Sequence, residues 1–254
     1  MKLIDAHIHL DQYADEEIQG IINGYDALMG LITVSTHIQS CQRNLSLSRR
    51  YQHVHAAFGF HPEQPYLKEE DINHLTNWME SHKDEMIAIG EVGLPYYLKR
   101  ERADLPYEPY VELLEAFIIL AKNWQKPIIL HSVYEDAEIA CRLLEKHSIK
   151  RAHFHWFKGA PKTVERMISD GYFISITPDV TYEKDIQQLV EVYPLDQLMI
   201  ETDGPWPFEG PFKGKMTHPA MMEESIRVIA RIKNMTESEV MDKIESNTKR
   251  FYSL

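Results

Sequence analysis

Apolar residues recur along the chain in two alternating rhythms. Short runs rich in β-formers fall at LIDAHI (3–8), LITVS (31–35), VHAAFGF (54–60), MIAIGEV (86–92), PIILHS (127–132), RAHFHW (151–156), YFISI (172–176) and LMIET (198–202). Between them lie longer amphipathic segments, among them 14–28, 68–84, 107–124, 134–148, 160–170 and 181–192. Several short runs are apolar nearly throughout, as parallel strands covered on both faces require. Eight β/α alternations predict an α/β chain closed into a (β/α)8 barrel, although an open doubly wound sheet would show the same alternation. No G-x-G-x-x-G follows the first run, which weakens a dinucleotide-binding sheet. Residues 220–252 predict two further helices after the last strand. No linker or repeat interrupts the chain, so residues 1–254 read as one domain.

Length agrees with this picture, because 254 residues is close to the roughly 250 of a typical (β/α)8 barrel. Hydrophobic residues at 44% and charged residues at 26% suit a globular chain able to bury a core without crosslinks. Two cysteines, Cys41 and Cys141, stand far apart and point to a reducing compartment rather than a disulfide framework. The opening MKLIDAHIHL lacks the apolar stretch of a secretion signal, and no run approaches the roughly 18 apolar residues of a membrane span. The reading is therefore cytoplasmic, without a membrane partner. A formal net charge of −12 argues against a broad nucleic-acid-binding surface but not against an enzyme that grips a few phosphates. Bound metal would add positive charge that this count omits.

Chemistry-bearing residues gather where the strands end. His7 and His9 close the first run, Glu91 the fourth, His131 the fifth, His155 the sixth, and Glu201 and Asp203 the eighth. In barrels the C-terminal strand ends carry the active site, and the opposite rim serves stability. Strand side chains alternate, so His7 and His9 share a face and can bite one ion, and Glu201 and Asp203 share a face by the same rule. Imidazole suits zinc and other first-row ions, and carboxylates accept magnesium or manganese, so the set tolerates several divalent metals. Glu91 lies in the otherwise apolar AIGEVG, where an unpaired carboxylate would be costly. It predicts a metal or a basic partner, and its two oxygens can bridge two cations roughly 3.5–4 Å apart. A lone H-x-H is weak, since a half-buried strand can carry two histidines by chance. Asp5 just before it and the barrel pattern favour ligands. A satisfied core histidine is the alternative for His131, and periodicity leaves His153 and His155 interchangeable. His37, His53, His74, His82 and His147 read as surface or core residues with no metal role.

Taken in order, these motifs resemble the TatD family of the metal-dependent amidohydrolase superfamily. DAHIHL (5–10) resembles its D-x-H-x-H-L opening, GFHP (59–62) its G-x-H-P and AIGEVGL (88–94) the strand of the bridging glutamate. PIILHS (127–132) is similar to the strand-five histidine motif, HWFKG (155–159) to H-x-F-x-G, MIETDGP (199–205) to E-T-D-x-P and NTKRF (247–251) to N-x-x-x-F. The resemblance chooses His155 over His153. It implies a barrel with a binuclear site: one divalent ion (zinc, manganese or magnesium) on His7, His9, Glu91 and Asp203, another on Glu91, His131 and His155. It implies phosphodiester hydrolysis, with DNA as the partner, by a metal-activated water. Asp203 would take the proton, Glu201 would orient Asp203 or a ligand, and His61 of GFHP would lie on the substrate side.

After strand eight the loop PWPFEGPFKGKMTHP (205–219) is placed to overhang the site, and its KGKMTHP resembles the family's basic R-G-K-x-N-x-P stretch. Lys213 and Lys215 are the expected phosphate contacts, and Trp206, Phe208 and Phe212 can stack on a base. Packing of the loop onto the barrel is an equal alternative for Phe208 and Phe212. The chain departs from the family at Pro95, where many members have Asp, and at Val133, where many have Arg. Neither is a ligand, but the missing arginine removes a bidentate phosphate partner. Arg100 is a candidate replacement, although KRERAD (99–104) reads first as a solvated turn. The competing function is a small-molecule amidohydrolase cleaving an amide, lactone or ester with the same metals. Such relatives often bridge their ions with a carboxylated lysine, and no lysine lies on the ligand-bearing strands here. A third reading, metal binding without catalysis, leaves a full ligand set and a base unexplained.

Overall fold

The computed structural model describes residues 2–254. Eight strands pair in chain order, every pair parallel: β1 (Leu3–Ile8), β2 (Leu28–Thr33), β3 (Val54–Phe58), β4 (Ala88–Gly93), β5 (Ile128–His131), β6 (Ala152–Phe154), β7 (Phe173–Ile176) and β8 (Leu198–Ile200). Helices α1 (Asp15–Asn23), α2 (Ile38–Arg50), α3 (Glu69–Ser81), α4 (Tyr96–Glu101), α5 (Glu108–Trp124), α6 (Glu135–Lys146), α7 (Pro161–Asp170) and α8 (Lys184–Val192) lie between them. Two more, α9 (Met222–Lys233) and α10 (Glu237–Tyr252), follow β8. This is the predicted (β/α)8 barrel with extra C-terminal helices. Among the described residues no helix is long and apolar enough to cross a membrane.

Two helices have a weak signal in the sequence. The inward face of α2 buries Ser40, Cys41 and Asn44 beside Leu45 and Leu47, so polar residues stand where an apolar stripe would betray a helix. Asn44 is satisfied there, donating to Val34 O at 2.9 Å and Ser35 Oγ at 3.0 Å and accepting from Thr33 Oγ1 at 2.7 Å. The solvated turn expected at 99–104 is corrected in its first half: α4 runs to Glu101. Its first-turn amides Tyr97 N–H and Leu98 N–H donate to Glu63, at 2.8 and 2.6 Å, which supplies acceptors the helix itself lacks.

The barrel closes between β8 and β1 with side chains as well as backbone. Asp203 N–H donates to His7 O at 2.9 Å and His9 N–H to Gly204 O at 2.8 Å. Below them Asp5, fully buried, accepts from Thr202 Oγ1 at 2.5 Å, Thr202 N at 3.0 Å and His7 N at 3.2 Å. Past Ile200, Glu201 N–H still donates to Ile176 O of β7 at 3.1 Å, and from Thr202 onward the backbone turns to Asp5 and β1. Glu201 and Asp203 therefore stand just past the strand. At the other end of the barrel Phe251 and Tyr252 of α10 pack with Ala6, Ile32, Ala57, Ala88, Ile129 and Met199, drawn from six strands. That plug shuts the barrel opposite the strand C-termini.

Truncating Asp5 leaves three buried donors without an acceptor, each worth about 1–3 kcal/mol when stranded. Asp5→Ala should lose about 3 kcal/mol or more in urea unfolding. A loss below 1 kcal/mol would mean that the seam does not depend on this carboxylate.

Candidate metal centre

The C-terminal strand ends converge on a cavity of about 1020 Å³ whose lining includes His9, His61, Glu63, His131, His155, Trp156, Lys158, Asp203 and Trp206. Beneath it lies Glu91, fully buried within β4 rather than at the strand's end. Close backbone approach fixes it there. A Cβ on Gly59 would lie 2.7 Å from Glu91 O, and one on Gly93 would lie 1.9 Å from His131 O, so neither position admits a side chain.

Each Glu91 oxygen faces its own set of partners. Oε2 lies 3.2 Å from His7 Nε2 and 3.4 Å from His9 Nε2, and the same two nitrogens lie 3.3 and 3.4 Å from Asp203 Oδ1. Oε1 lies 2.7 Å from His155 Nε2, 3.0 Å from His131 Nδ1 and 3.3 Å from His61 Nε2. His131 Nδ1 and His155 Nε2 are 3.2 Å apart. Ligands held about 2.0–2.1 Å from a tetrahedral cation are about 3.3 Å from one another, so the first group has the edge lengths of a coordination shell. His7 Nε2, Glu91 Oε2 and Asp203 Oδ1 are buried without a hydrogen bond. Buried polar atoms are rarely left so, and three facing one point are what a cation would satisfy. The donor set of imidazole nitrogens and carboxylate oxygens fits a divalent ion. His61, expected on the substrate side, lines the cavity and also brings its Nε2 to 3.3 Å from Glu91 Oε1.

Burial opposes charge on both central carboxylates. For Glu91 the surrounding imidazoles of His155, His61 and His7 outweigh it, and for Asp203 the contacts to His7 and His9 do, so both sit below the usual carboxylate range. Glu63, absent from the residues singled out in the sequence, faces His131 Nε2 at 3.3 Å while holding the start of α4. Burial raises its pKa, but His131 and the two amides prevail and lower it. Its signal was its place directly after GFHP. Glu201 does not meet Asp203. Its Oε1 accepts Trp156 N–H at 2.8 Å and lies 3.6 Å from His155 Nδ1, too far for a hydrogen bond.

Three non-glycine residues just past strands hold left-handed backbone at this rim: Tyr134 (φ 52°), Trp156 (φ 38°) and Asp203 (φ 49°). Such strain persists where surrounding structure imposes it, commonly at functional sites. The basic loop behaves otherwise than expected. Lys213 pairs with Glu209 at 3.0 Å, and neither it nor Lys215 lines the cavity. Phe208 and Phe212 are buried against Met221 and pack the loop down, whereas Trp206 is 58% exposed and lines the cavity.

Comparison with known proteins places these residues in context. The family model described as TatD related DNase matches residues 4–253. The chain belongs to the TatD family. It is thus a metal-dependent hydrolase, and its relatives carry that description. An uncharacterized metal-dependent hydrolase of Haemophilus influenzae is 42% identical, the match covering 99% of this chain and all of that one. Human deoxyribonuclease TATDN3 is 27% identical over 98% of this chain and 94% of its own. Among solved structures, the TatD homolog YjjV of Escherichia coli superposes with a TM-score of 0.86 at 24% identity, covering 99% of this TatD chain and 98% of the other.

If Glu63 orients His131 for a cation, Glu63→Gln should weaken divalent-ion affinity roughly 10–100-fold, the usual effect of losing such a partner. Chelator competition on the folded protein measures this. Unchanged affinity would reduce Glu63 to a cap for α4.

Proposed function

We propose that this TatD protein hydrolyses phosphodiesters, nucleic-acid strands being the substrate class, with two divalent cations held side by side. One ion is assigned to His7, His9, Glu91 and Asp203, the other to Glu91, His131 and His155, with His61 adjoining. The observation that carries the reading is Glu91, whose two oxygens each face a separate cluster of ligand atoms. When bound, two such ions lower the pKa of a water and offset negative charge on a phosphoryl group. Asp203 lines the cavity and is the base we assign, accepting the proton from the attacking water on its carboxylate. Glu63 holds His131 from behind.

Lys158 takes the place of the missing phosphate partner. It is the one Lys or Arg among the residues lining the cavity. Tyr134 N–H donates to Lys158 O at 2.6 Å, so this lysine stands beside Val133, where other family members carry arginine. Its ammonium lies 5.2 Å over the Trp156 ring and 3.8 Å from Asp179 Oδ2, which already accepts Trp156 Nε1–H at 2.6 Å. The charge is loosely paired and free to turn to a phosphate. Trp206 and Tyr97, both exposed on the cavity wall, offer faces for a base. Arg100, by contrast, is exposed and lies 5.6 Å over Tyr96.

Hydrolysis of an oligonucleotide and of bis-nitrophenyl phosphate by metal-loaded protein, against lactones and N-acyl amino acids, tests the reaction class. Both diesters should be cleaved and chelator should abolish the activity. Cleavage of a lactone or amide alone would favour the amidohydrolase reading. Asp203→Asn should lower turnover by roughly 10²–10⁴ while retaining most of the metal, and near-normal turnover would exclude Asp203 as the base.

Lys158→Ala should raise KM for the oligonucleotide roughly 10-fold or more, as expected for one charge-assisted hydrogen bond. The Lys213→Ala, Lys215→Ala double variant should change it little. The reverse ranking in steady-state kinetics would return the phosphate contacts to the loop.

A further inference from the structure

At the mouth of the barrel the start of α4 and the turn into α6 bring three tyrosines together. Tyr96 and Tyr134 stack, their ring centres 4.7 Å apart and their planes 30° from parallel. Tyr97 stands edge-on to Tyr96 at 5.2 Å and lines the cavity. The Arg100 guanidinium lies 5.6 Å over the Tyr96 ring, and its Nη1 donates to the Tyr96 hydroxyl at 3.3 Å. The ridge is partly in solvent: Tyr97 is 45% exposed and Tyr134 37%, whereas Tyr96 is half-buried.

Packing alone does not explain a tyrosine at position 134. Its φ of 52° and ψ of −125° fall in backbone that glycine enters freely and a Cβ resists. The bond from Tyr134 N–H to Lys158 O at 2.6 Å holds the chain there. Glycine would remove the strain, and burial gives little reason to keep the ring, since more than a third of the residue faces water. What the ring supplies is an aromatic face, fixed by its stack on Tyr96. The Lys158 bond also sets Tyr134 beside the cation of the cavity wall, and Arg100 adds a second cation on the ridge. Two exposed carboxylates, Glu101 on the cavity wall and Glu135 after Tyr134, offset these charges. Net charge therefore does not hold a ligand here. The ridge suits one that combines flat rings with phosphates. Aromatic side chains take bases of any sequence by stacking, and arginine adds a phosphate contact. A duplex hides its base faces within its own stack, whereas an unpaired strand presents them.

We propose that Tyr134, Tyr96 and Arg100 form a second subsite, outside the cavity, for one further nucleotide of an unpaired strand whose reacting phosphate lies at the centre. The base stacks on Tyr134, Tyr96 braces that ring, and Arg100 takes a phosphate. The subsite rests on the phosphodiester reading above and extends it beyond the faces of Trp206 and Tyr97.

Calorimetric titration of the full, metal-loaded chain with di-, tetra- and hexathymidylate, linked by phosphorothioates that resist cleavage, tests this. Affinity should rise roughly 10-fold from the dimer to the tetramer, as one added stacked base predicts, and change little from tetramer to hexamer. Tyr134→Gly, which relieves the strained backbone, should fold at least as well as the wild type. It should bring tetramer affinity down to about that of the dimer. Tyr134→Phe keeps the ring and should keep the advantage. Arg100→Ala, at an exposed position, should lower tetramer affinity roughly 3-fold or more and still decides if Tyr134→Gly does not fold. Equal affinity for every length in the wild type, or no binding at all, would overturn the proposal. So would folded variants at both positions that keep the full tetramer advantage. If ordinary oligothymidylates bind with this length dependence but are not cleaved, the phosphodiester reading fails and the subsite stands.

Discussion

Glu91 sits at 0% exposure on the floor of a barrel whose walls are apolar, and a bare carboxylate there would cost several kcal/mol. Much of the rim can be understood as compensation for that one charge. Imidazoles from β1, β5, the β3 loop and the end of β6 face its two oxygens, and the second carboxylate, Asp203, shares two of them. Imidazoles alone are an uneasy answer, since several packed together repel if charged and leave the carboxylate unneutralised if not. The first group has the spacing of a coordination shell and three buried atoms lacking hydrogen bonds, so a divalent cation there would resolve a conflict that the protein's own groups leave standing.

Holding such a cluster needs a scaffold that cannot slide. Register shifts in β1 between Asp5 and Ile8 and in β4 between Ile89 and Val92 fall beside the ligands. Gly59 and Gly93 let neighbouring strands approach where any Cβ would collide. Asp5 ties β1 to Thr202 just below Asp203 and His7, so the bonds that close the barrel also fix the two elements bearing the first ligand group. Stability and site are therefore not cleanly divided between the two ends here. The seam serves both.

How much of this was legible in the sequence depended on whether a residue's role is local. Strand order, barrel class and the convergence of His7, His9, Glu91, His131 and Asp203 follow from period-two patterns and strand ends, which are local, whereas the choice of His155 over His153 needed the family resemblance. Helix α2 was obscured because Asn44 and Ser40 occupy its inward face, and α4 because its first turn is satisfied by Glu63, 34 residues away from Tyr97. Glu201 shares a strand face with Asp203 in the sequence pattern, which left Asp203 or another ligand as its expected neighbour. The chain, however, keeps its bond to β7 only through Glu201 N–H and adopts left-handed backbone at Asp203, and Glu201 turns instead to Trp156 N–H. Lys213 and Lys215 lie in a stretch similar to the family's basic loop, yet Phe208 and Phe212 bury that loop against Met221, and neither lysine lines the cavity.

Lys158 shows why charge must be counted in place rather than along the chain. The net charge of −12 makes the molecule as a whole repel a polyanion, and long-range steering would oppose capture. Screening confines that penalty to about 8–10 Å at ordinary salt, whereas a cation beside the reacting centre acts at contact range. Lys158 occupies the neighbourhood of Val133 through the Tyr134 N–H to Lys158 O bond, and Trp156 beneath it keeps the ammonium near the cavity wall. A lysine is a point charge and cannot grip a phosphate with two parallel bonds as arginine does. A chain with Val133 and Lys158 would therefore bind a phosphodiester with less orientational control than one with arginine at 133. It would depend more on its cations and on the faces of Trp206 and Tyr97 to align the scissile bond. On the phosphodiester reading proposed above, that combination would favour short or flexible strands, which can adapt to the wall, over a rigid duplex.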